Sequence, residues 1–85
     1  TMSNSGGFIL NNNSILNGRI RLSFATNGSL SKNNIVSKTH GVRIDAGCHD
    51  VSITNNNISV DNNYQCVWQN NTDSTNIEIL NNVCE

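Results

Sequence analysis

No proline occurs in these 85 residues, and charged side chains make up only 13% of them. The formal net charge of -1 gives no electrostatic reason to expect nucleic acid or an anionic membrane as partner. No apolar run approaches the roughly 18 residues of a membrane-spanning helix, and the first residues carry no signal-peptide pattern. Thr1 precedes Met2, and we read the chain as a segment of a longer one. The three cysteines, Cys48, Cys66 and Cys84, form no Cys-x-x-Cys or Cys/His cluster, so neither a metal nor any other cofactor is expected. An odd number leaves at least one thiol unpaired, and the simplest reading makes all three small, buried or half-buried apolar residues.

What the chain has instead is asparagine, at 18 of 85 positions. Asn is a poor filler of helix or strand interiors, but it tolerates the left-handed backbone region and hydrogen-bonds nearby main chain, so it belongs at tight bends. The asparagines recur in a phrase: Leu10-Asn-Asn-Asn13-Ser-Ile15, Leu30-Ser-Lys-Asn33-Asn-Ile35, Ile53-Thr-Asn-Asn56-Asn-Ile58 and, less cleanly, Ile79-Leu-Asn81-Asn-Val83. Counted Asn to Asn at 13, 33, 56 and 81, the spacings are 20, 23 and 25 residues. A period in that range, without a helical pattern, marks a stacked solenoid.

Between the Asn phrases lie stretches of period-two alternation, Arg19-Ile20-Arg21-Leu22 and Val42-Arg43-Ile44-Asp45, as in half-buried strands. The reading is all-β: a right-handed parallel β-helix segment of about three to four coils, with residues 1–6 as a lead-in and coils beginning near 7, 30, 53 and 77. Too few residues separate the strands for crossover helices. Equivalent residues such as Leu30, Ile53 and Ile79 should stack about 4.8 Å apart. Stacked Asn side chains can then hydrogen-bond from coil to coil, supplying partners for amides that would cost about 1–3 kcal/mol each if buried alone.

The run Gly41-Val-Arg-Ile-Asp-Ala-Gly-Cys-His-Asp-Val-Ser-Ile-Thr-Asn-Asn-Asn-Ile58 resembles the repeat of the pectate-lyase-like superfamily of right-handed parallel β-helices, and the resemblance extends over residues 7 to 84. That superfamily includes pectate lyases, polygalacturonases, alginate epimerases and bacteriophage tailspikes. The resemblance implies a protein that binds or degrades polysaccharide, by elimination or hydrolysis if it is an enzyme, on a cell exterior or virion surface. The alternative it leaves open is a non-catalytic structural section of a viral fibre or adhesin. Gly41-Val-Arg-Ile and Asn71-Thr-Asp73 are similar to two polygalacturonase motifs but stand in reversed order, so no catalytic residue is carried over.

Aligning the alternating strands places Ile20, Val42 and Cys66 in one inward column and Leu22, Ile44 and Trp68 in the next. Arg21, Arg43 and Val67 then face outward, as do Ser23, Asp45 and Gln69. Two arginines one rung apart repel unless an anion or Asp45 compensates. Paired guanidinium groups suit the carboxylate of an acidic sugar. The expected substrate-binding residues are therefore Arg21, Arg43 and Asp45, against the plainer reading of both arginines as solvated outward residues. The expected ligand is a polysaccharide or oligosaccharide. Trp68 is assigned to the core; facing outward it would instead offer a platform for a saccharide ring. No helix or charged cap closes either terminus, so other chains of the same assembly, a homotrimer among the possible arrangements, are expected as partners.

Overall fold

The computed structural model describes residues 2–3, 6–70 and 73–85. Thr1, Asn4 and Ser5 of the lead-in, and Asn71 and Thr72 of the polygalacturonase-like motif, lie outside the described residues. Among the described residues twelve short strands follow one another without a helix: β1 (Met2–Ser3), β2 (Ile9–Asn11), β3 (Ser14–Leu16), β4 (Ile20–Ser23), β5 (Thr26–Ser31), β6 (Asn34–Ser37), β7 (Val42–Ile44), β8 (His49–Thr54), β9 (Asn57–Val60), β10 (Val67–Gln69), β11 (Thr75–Leu80) and β12 (Val83–Cys84). They assemble into three parallel sheets. Sheet 1 runs β1-β4-β7-β10, sheet 2 β2-β5-β8-β11 and sheet 3 β3-β6-β9-β12. Each circuit of the chain adds one strand to every sheet, so the molecule is a parallel β-solenoid of about three turns.

Register turns the sequence repeat into packing. Leu10, Leu30, Ile53 and Ile79 stack in one column of sheet 2, and Ile15, Ile35, Ile58 and Cys84 in one column of sheet 3. Ile20, Val42 and Val67 stack in sheet 1. Leu30, Ile35, Val42, Ile44, Ile53 and Ile58 are fully buried. At about 25 cal/mol per Å² of apolar area, each such side chain contributes about 1.5–3 kcal/mol. Phe8 lies in the column of Gly28, Val51 and Ile77, and its ring occupies the space a side chain at 28 would need: a Cβ there would meet ring carbons at 2.0–2.4 Å.

The corner between sheets 2 and 3 has the same two residues' worth of geometry in every turn. Its first residue, Asn12, Lys32, Asn55 or Asn81, has φ between 56° and 59°, the left-handed region in which Asn is the least strained side-chain-bearing choice. Its second residue is the ladder asparagine. Main-chain N and Nδ2 of Asn13 both donate to Oδ1 of Asn33, at 3.0 and 3.1 Å. Asn33 donates likewise to Asn56, at 3.0 and 3.0 Å, and Asn56 to Asn82, at 2.9 and 2.9 Å. Nδ2 of Asn33, Asn56 and Asn82 also donates to the carbonyls of Leu10, Leu30 and Ile53. Asn33 and Asn56 are 1% exposed, yet no buried side-chain N or O among the described residues lacks a partner.

The last rung is Asn82, not the Asn81 of the sequence count, because the third step spans 26 residues rather than 25. Asn81 takes the left-handed place that Lys32 and Asn55 hold in the preceding turns. A second left-handed column, Gly7, Asn27, Asp50 and Asn76, bends the chain at the same height of sheet 2 in successive turns without changing the register.

Cysteine is the other correction. Cys48 is buried and free, but Cys66 and Cys84 form a disulfide with Cα atoms 5.9 Å apart. The disulfide ties the entry to β10, at Cys66, to the end of β12, at Cys84. Closing that loop stabilises the last turn by about 3 kcal/mol through the entropy it removes from the unfolded chain.

Candidate functional site

Within each turn the connection from sheet 3 to sheet 1 lengthens, from residues 17–19 to 38–41 to 61–66. The added residues accumulate beside the outward face of sheet 1 and carry His40 and Tyr64 there. The longer last connection also decides the register of β10. Val67 pairs with Val42, Trp68 with Arg43 and Gln69 with Ile44. The inward residue of β10 is thus Val67, not Cys66, and Trp68 stands outward in the column of Arg21 and Arg43. The expectation of a core tryptophan is overturned. Cys66 instead sits beside Gly41, where a Cβ would come within 2.9 Å of the Cys66 carbonyl oxygen and 2.3 Å of Ile58 Cγ2.

The structure brings all three residues singled out from sequence together. Nε of Arg21 donates to Oδ2 of Asp45 at 2.5 Å, and Nε of Arg43 donates to Oδ1 at 2.9 Å. The Asn70 amide adds a third donor, to Oδ1 at 3.0 Å. Asp45 is therefore the compensating anion for two stacked arginines. Burial pushes its carboxyl pKa up, but hydrogen bonds from Arg21, Asn70 and Arg43 and the charge of Arg43 more than reverse that, lowering it from 3.8 to about 2. The carboxylate stays ionised at neutral pH and serves as an acceptor, not as a proton donor. Both ion pairs are made through Nε. The Arg21 side chain remains 43% exposed and that of Arg43 24%.

Trp68 continues this column one rung further. His40 stacks on its indole at 4.3 Å between centroids and 20° between planes, and the Arg43 guanidinium lies 5.1 Å from the ring centroid. Tyr64, 44% exposed, packs edge-on against His40 at 5.1 Å. Nδ1 of His40 lies 3.0 Å from the main-chain N and 3.2 Å from the carbonyl O of Gln65, which ties the ring to the backbone of the connection before β10. The outcome is one strip along the solenoid axis: aromatic at the Trp68 end, cationic at the Arg21 end, anchored by one carboxylate.

Trp68, His40, Tyr64 and Asn70 were not assigned to a site from sequence. The signal was present in the alignment of Val42-Arg43-Ile44-Asp45 with Val67-Trp68-Gln69-Asn70, which sets Val on Val. Preference for burying the larger aromatic set Cys66 on Val42 instead. Among the described residues no three of His, Cys, Asp or Glu gather as a metal-binding group. An open depression of about 280 Å³ lies at the neighbouring corner, lined by Asn17, Gly18, Arg19, Ser37, Lys38 and Thr39. Comparison of the chain with family models, with curated proteins and with solved structures finds no match.

Proposed function

We propose that the outward face of sheet 1 binds an acidic polysaccharide, with a sugar ring against the Trp68–His40–Tyr64 cluster and a carboxylate on the terminal guanidinium nitrogens of Arg43 and Arg21. The observation that carries this reading is Trp68 standing outward in the arginine column. An aromatic face beside paired guanidinium groups matches a ligand that alternates apolar C–H faces with fixed negative charge. Asp45 tethers both side chains through Nε, so binding costs less ordering entropy. This agrees with the polysaccharide-active character implied by the likeness to pectate-lyase-like and tailspike repeats. The Cys66–Cys84 disulfide suits an oxidising setting such as a cell exterior or virion surface. The reading is of binding. Asp45, ionised and saturated with donors, is no general acid, and the described face offers no second carboxylate opposite it.

A second reading, a structural section of a fibre or adhesin, is favoured by one fact: Asp45 already neutralises one of the two charges, so the arginine pair is compatible with a merely solvated face. One titration separates the two. Trp68 is the only tryptophan, so its fluorescence reports on this face alone. Uronate oligomers should perturb it where neutral oligomers of equal length do not, with affinity falling as salt rises. The Arg21→Ala/Arg43→Ala double variant, with an unchanged circular dichroism spectrum, should lose that response. Retained affinity in the double variant, or no response to any acidic glycan, defeats the binding reading.

A further inference from the structure

The chain as a whole is nearly neutral, but its cations are not evenly spread. Arg21 and Arg43 stand on the outward face of sheet 1, and Arg19 and Lys38 line the depression of about 280 Å³ at the corner where sheet 3 leads into it. Four of the five Lys and Arg side chains, all but Lys32, therefore belong to this face and its corner. Of the six carboxylates, only Asp45 forms an ion pair with any of them. The walls of the depression are two successive connections, residues 17–19 and 38–41, together with Ser37 at the end of β6. A guanidinium N–H of Arg19 crosses between them to Oγ1 of Thr39 at 3.2 Å, and the Thr39 N–H donates to the Ser37 hydroxyl at 3.1 Å. Thr39 is a neutral acceptor, and no carboxylate lines the depression, so the charges of Arg19 and Lys38 stand there uncompensated.

We infer that this depression is a second acid-binding subsite beside the first, and that the glycan it serves is a polyuronate with a carboxylate on every sugar. The inference rests on the reading that the outward face of sheet 1 binds an acidic polysaccharide. The spacing of the cations carries it. Arg43 and Arg21 are partners on adjacent strands, about 4.8 Å apart, and Arg19 lies two residues before Arg21, about 6.6 Å along the extended chain. Trp68 to Arg21 is two rungs, about 10 Å, the reach of a disaccharide. The next sugar passes Arg19 and brings its carboxylate over the depression, where Lys38 supplies a second cation from the following turn. Cations in steps of about 5–7 Å meet an acid on each successive sugar. A chain in which acidic and neutral sugars alternate would leave every second cation without its acid. Because Thr39 already holds the Arg19 guanidinium across the depression, seating the acid there costs little further ordering.

Uronate oligomers titrated against the isotope-labelled chain, with Trp68 fluorescence and amide chemical shifts read together, test this. A uronate disaccharide should perturb Trp68 and leave the amides of Gly18, Lys38 and Thr39 in place. A longer homopolymer should bind more tightly and shift those amides as well. The Arg19→Ala/Lys38→Ala variant changes two exposed residues, and its circular dichroism should stay that of the wild type. It should bind the longer homopolymer about tenfold more weakly, the worth of two exposed charge contacts, whereas the disaccharide, too short to reach them, should lose nothing. An oligomer of equal length with alternating acidic and neutral sugars should bind wild type and variant alike. If the variant holds the longer homopolymer as tightly as the wild type while Trp68 still responds, the subsite is overturned and the binding face stands. An equal loss for the alternating oligomer overturns the polyuronate as the ligand. If no acidic oligomer perturbs Trp68, the binding face itself is refuted, and the subsite falls with it.

Discussion

Replacing Asn56 by Ala should be among the most damaging single changes in the chain. Its side chain makes four hydrogen bonds: two given, to Leu30 O and Asn82 Oδ1, and two received, from the N–H and Nδ2 of Asn33. At about 1 kcal/mol net apiece the loss is about 4 kcal/mol, before any penalty for leaving the Leu30 carbonyl and the Asn33 N–H unpaired in the interior. A domain of this size is stable by roughly 4–13 kcal/mol in total, so the variant should be marginal, with Tm lower by about 15–30 °C. Asn13→Ala provides the comparison. It forfeits only the part-buried side-chain bond to Asn33, since the Asn13 main-chain N–H still reaches Oδ1, and should cost about 1 kcal/mol. Urea unfolding followed by far-ultraviolet circular dichroism gives both values from the midpoint and slope. If the two variants differ by less than about 1 kcal/mol, the ladder is decoration and the fold rests on its apolar columns alone. Asn56→Asp sharpens the test. A carboxylate there faces the Leu30 carbonyl and Asn82 Oδ1 with no proton to give, so the folded state favours the protonated acid and raises its pKa. That variant should be most stable below the unfolded carboxyl pKa of about 3.9 and lose stability as pH rises through the folded value.

Three further outcomes are expected, the first two in stability and the last in binding. Reducing the Cys66–Cys84 bond, or replacing both residues by Ala, should lower stability by about 3 kcal/mol in urea unfolding; a midpoint unmoved by reductant would show that this loop is already ordered in the unfolded chain. Asp45 has a folded pKa of about 2 against 3.8, so it contributes stability above the unfolded value that disappears as pH falls toward 2. The amount is at most about 2 kcal/mol, and solvent around the half-exposed Arg21 screens part of it; Asp45→Asn should flatten this part of the acid limb, and an unchanged limb would refute the assignment. In calorimetric titration with uronate oligomers, Trp68→Ala should weaken binding by about 1–2 kcal/mol, the worth of one aromatic stacking contact, with the arginine-dependent salt sensitivity retained.

Much of the fold was written in local chemistry. Each turn needs a residue that accepts a positive φ followed by one whose amide can bridge two turns, and Asn meets both demands, so the repeat of Asn phrases between aliphatic residues was enough to announce stacked coils. Alternation in Ile20-Arg21-Leu22 and Val42-Arg43-Ile44 was likewise enough to put two arginines in one outward column. The triad of Arg21, Arg43 and Asp45 was legible for that reason: register between β4 and β7 follows directly from the matching apolar pairs.

The face of Trp68 was decided only in three dimensions. Period two says that alternate residues share a side but not which side is inward, and hydrophobicity favours burying the larger ring over Val67. Three facts distributed over the chain settle it the other way. Gly41 leaves room for the Cys66 backbone, Cys66 is tied to Cys84, and the lengthened connection at 61–66 sets Val67 over Val42. The same accumulation of inserted residues moved the last ladder rung from Asn81 to Asn82. The sequence by itself determined the repeat, the chemistry of its corners and the composition of its core. The tertiary structure alone decided the register of the last turn, the disulfide and the gathering of Trp68, His40 and Tyr64, because each depends on contacts between residues 18 or more apart whose energies no local pattern contains.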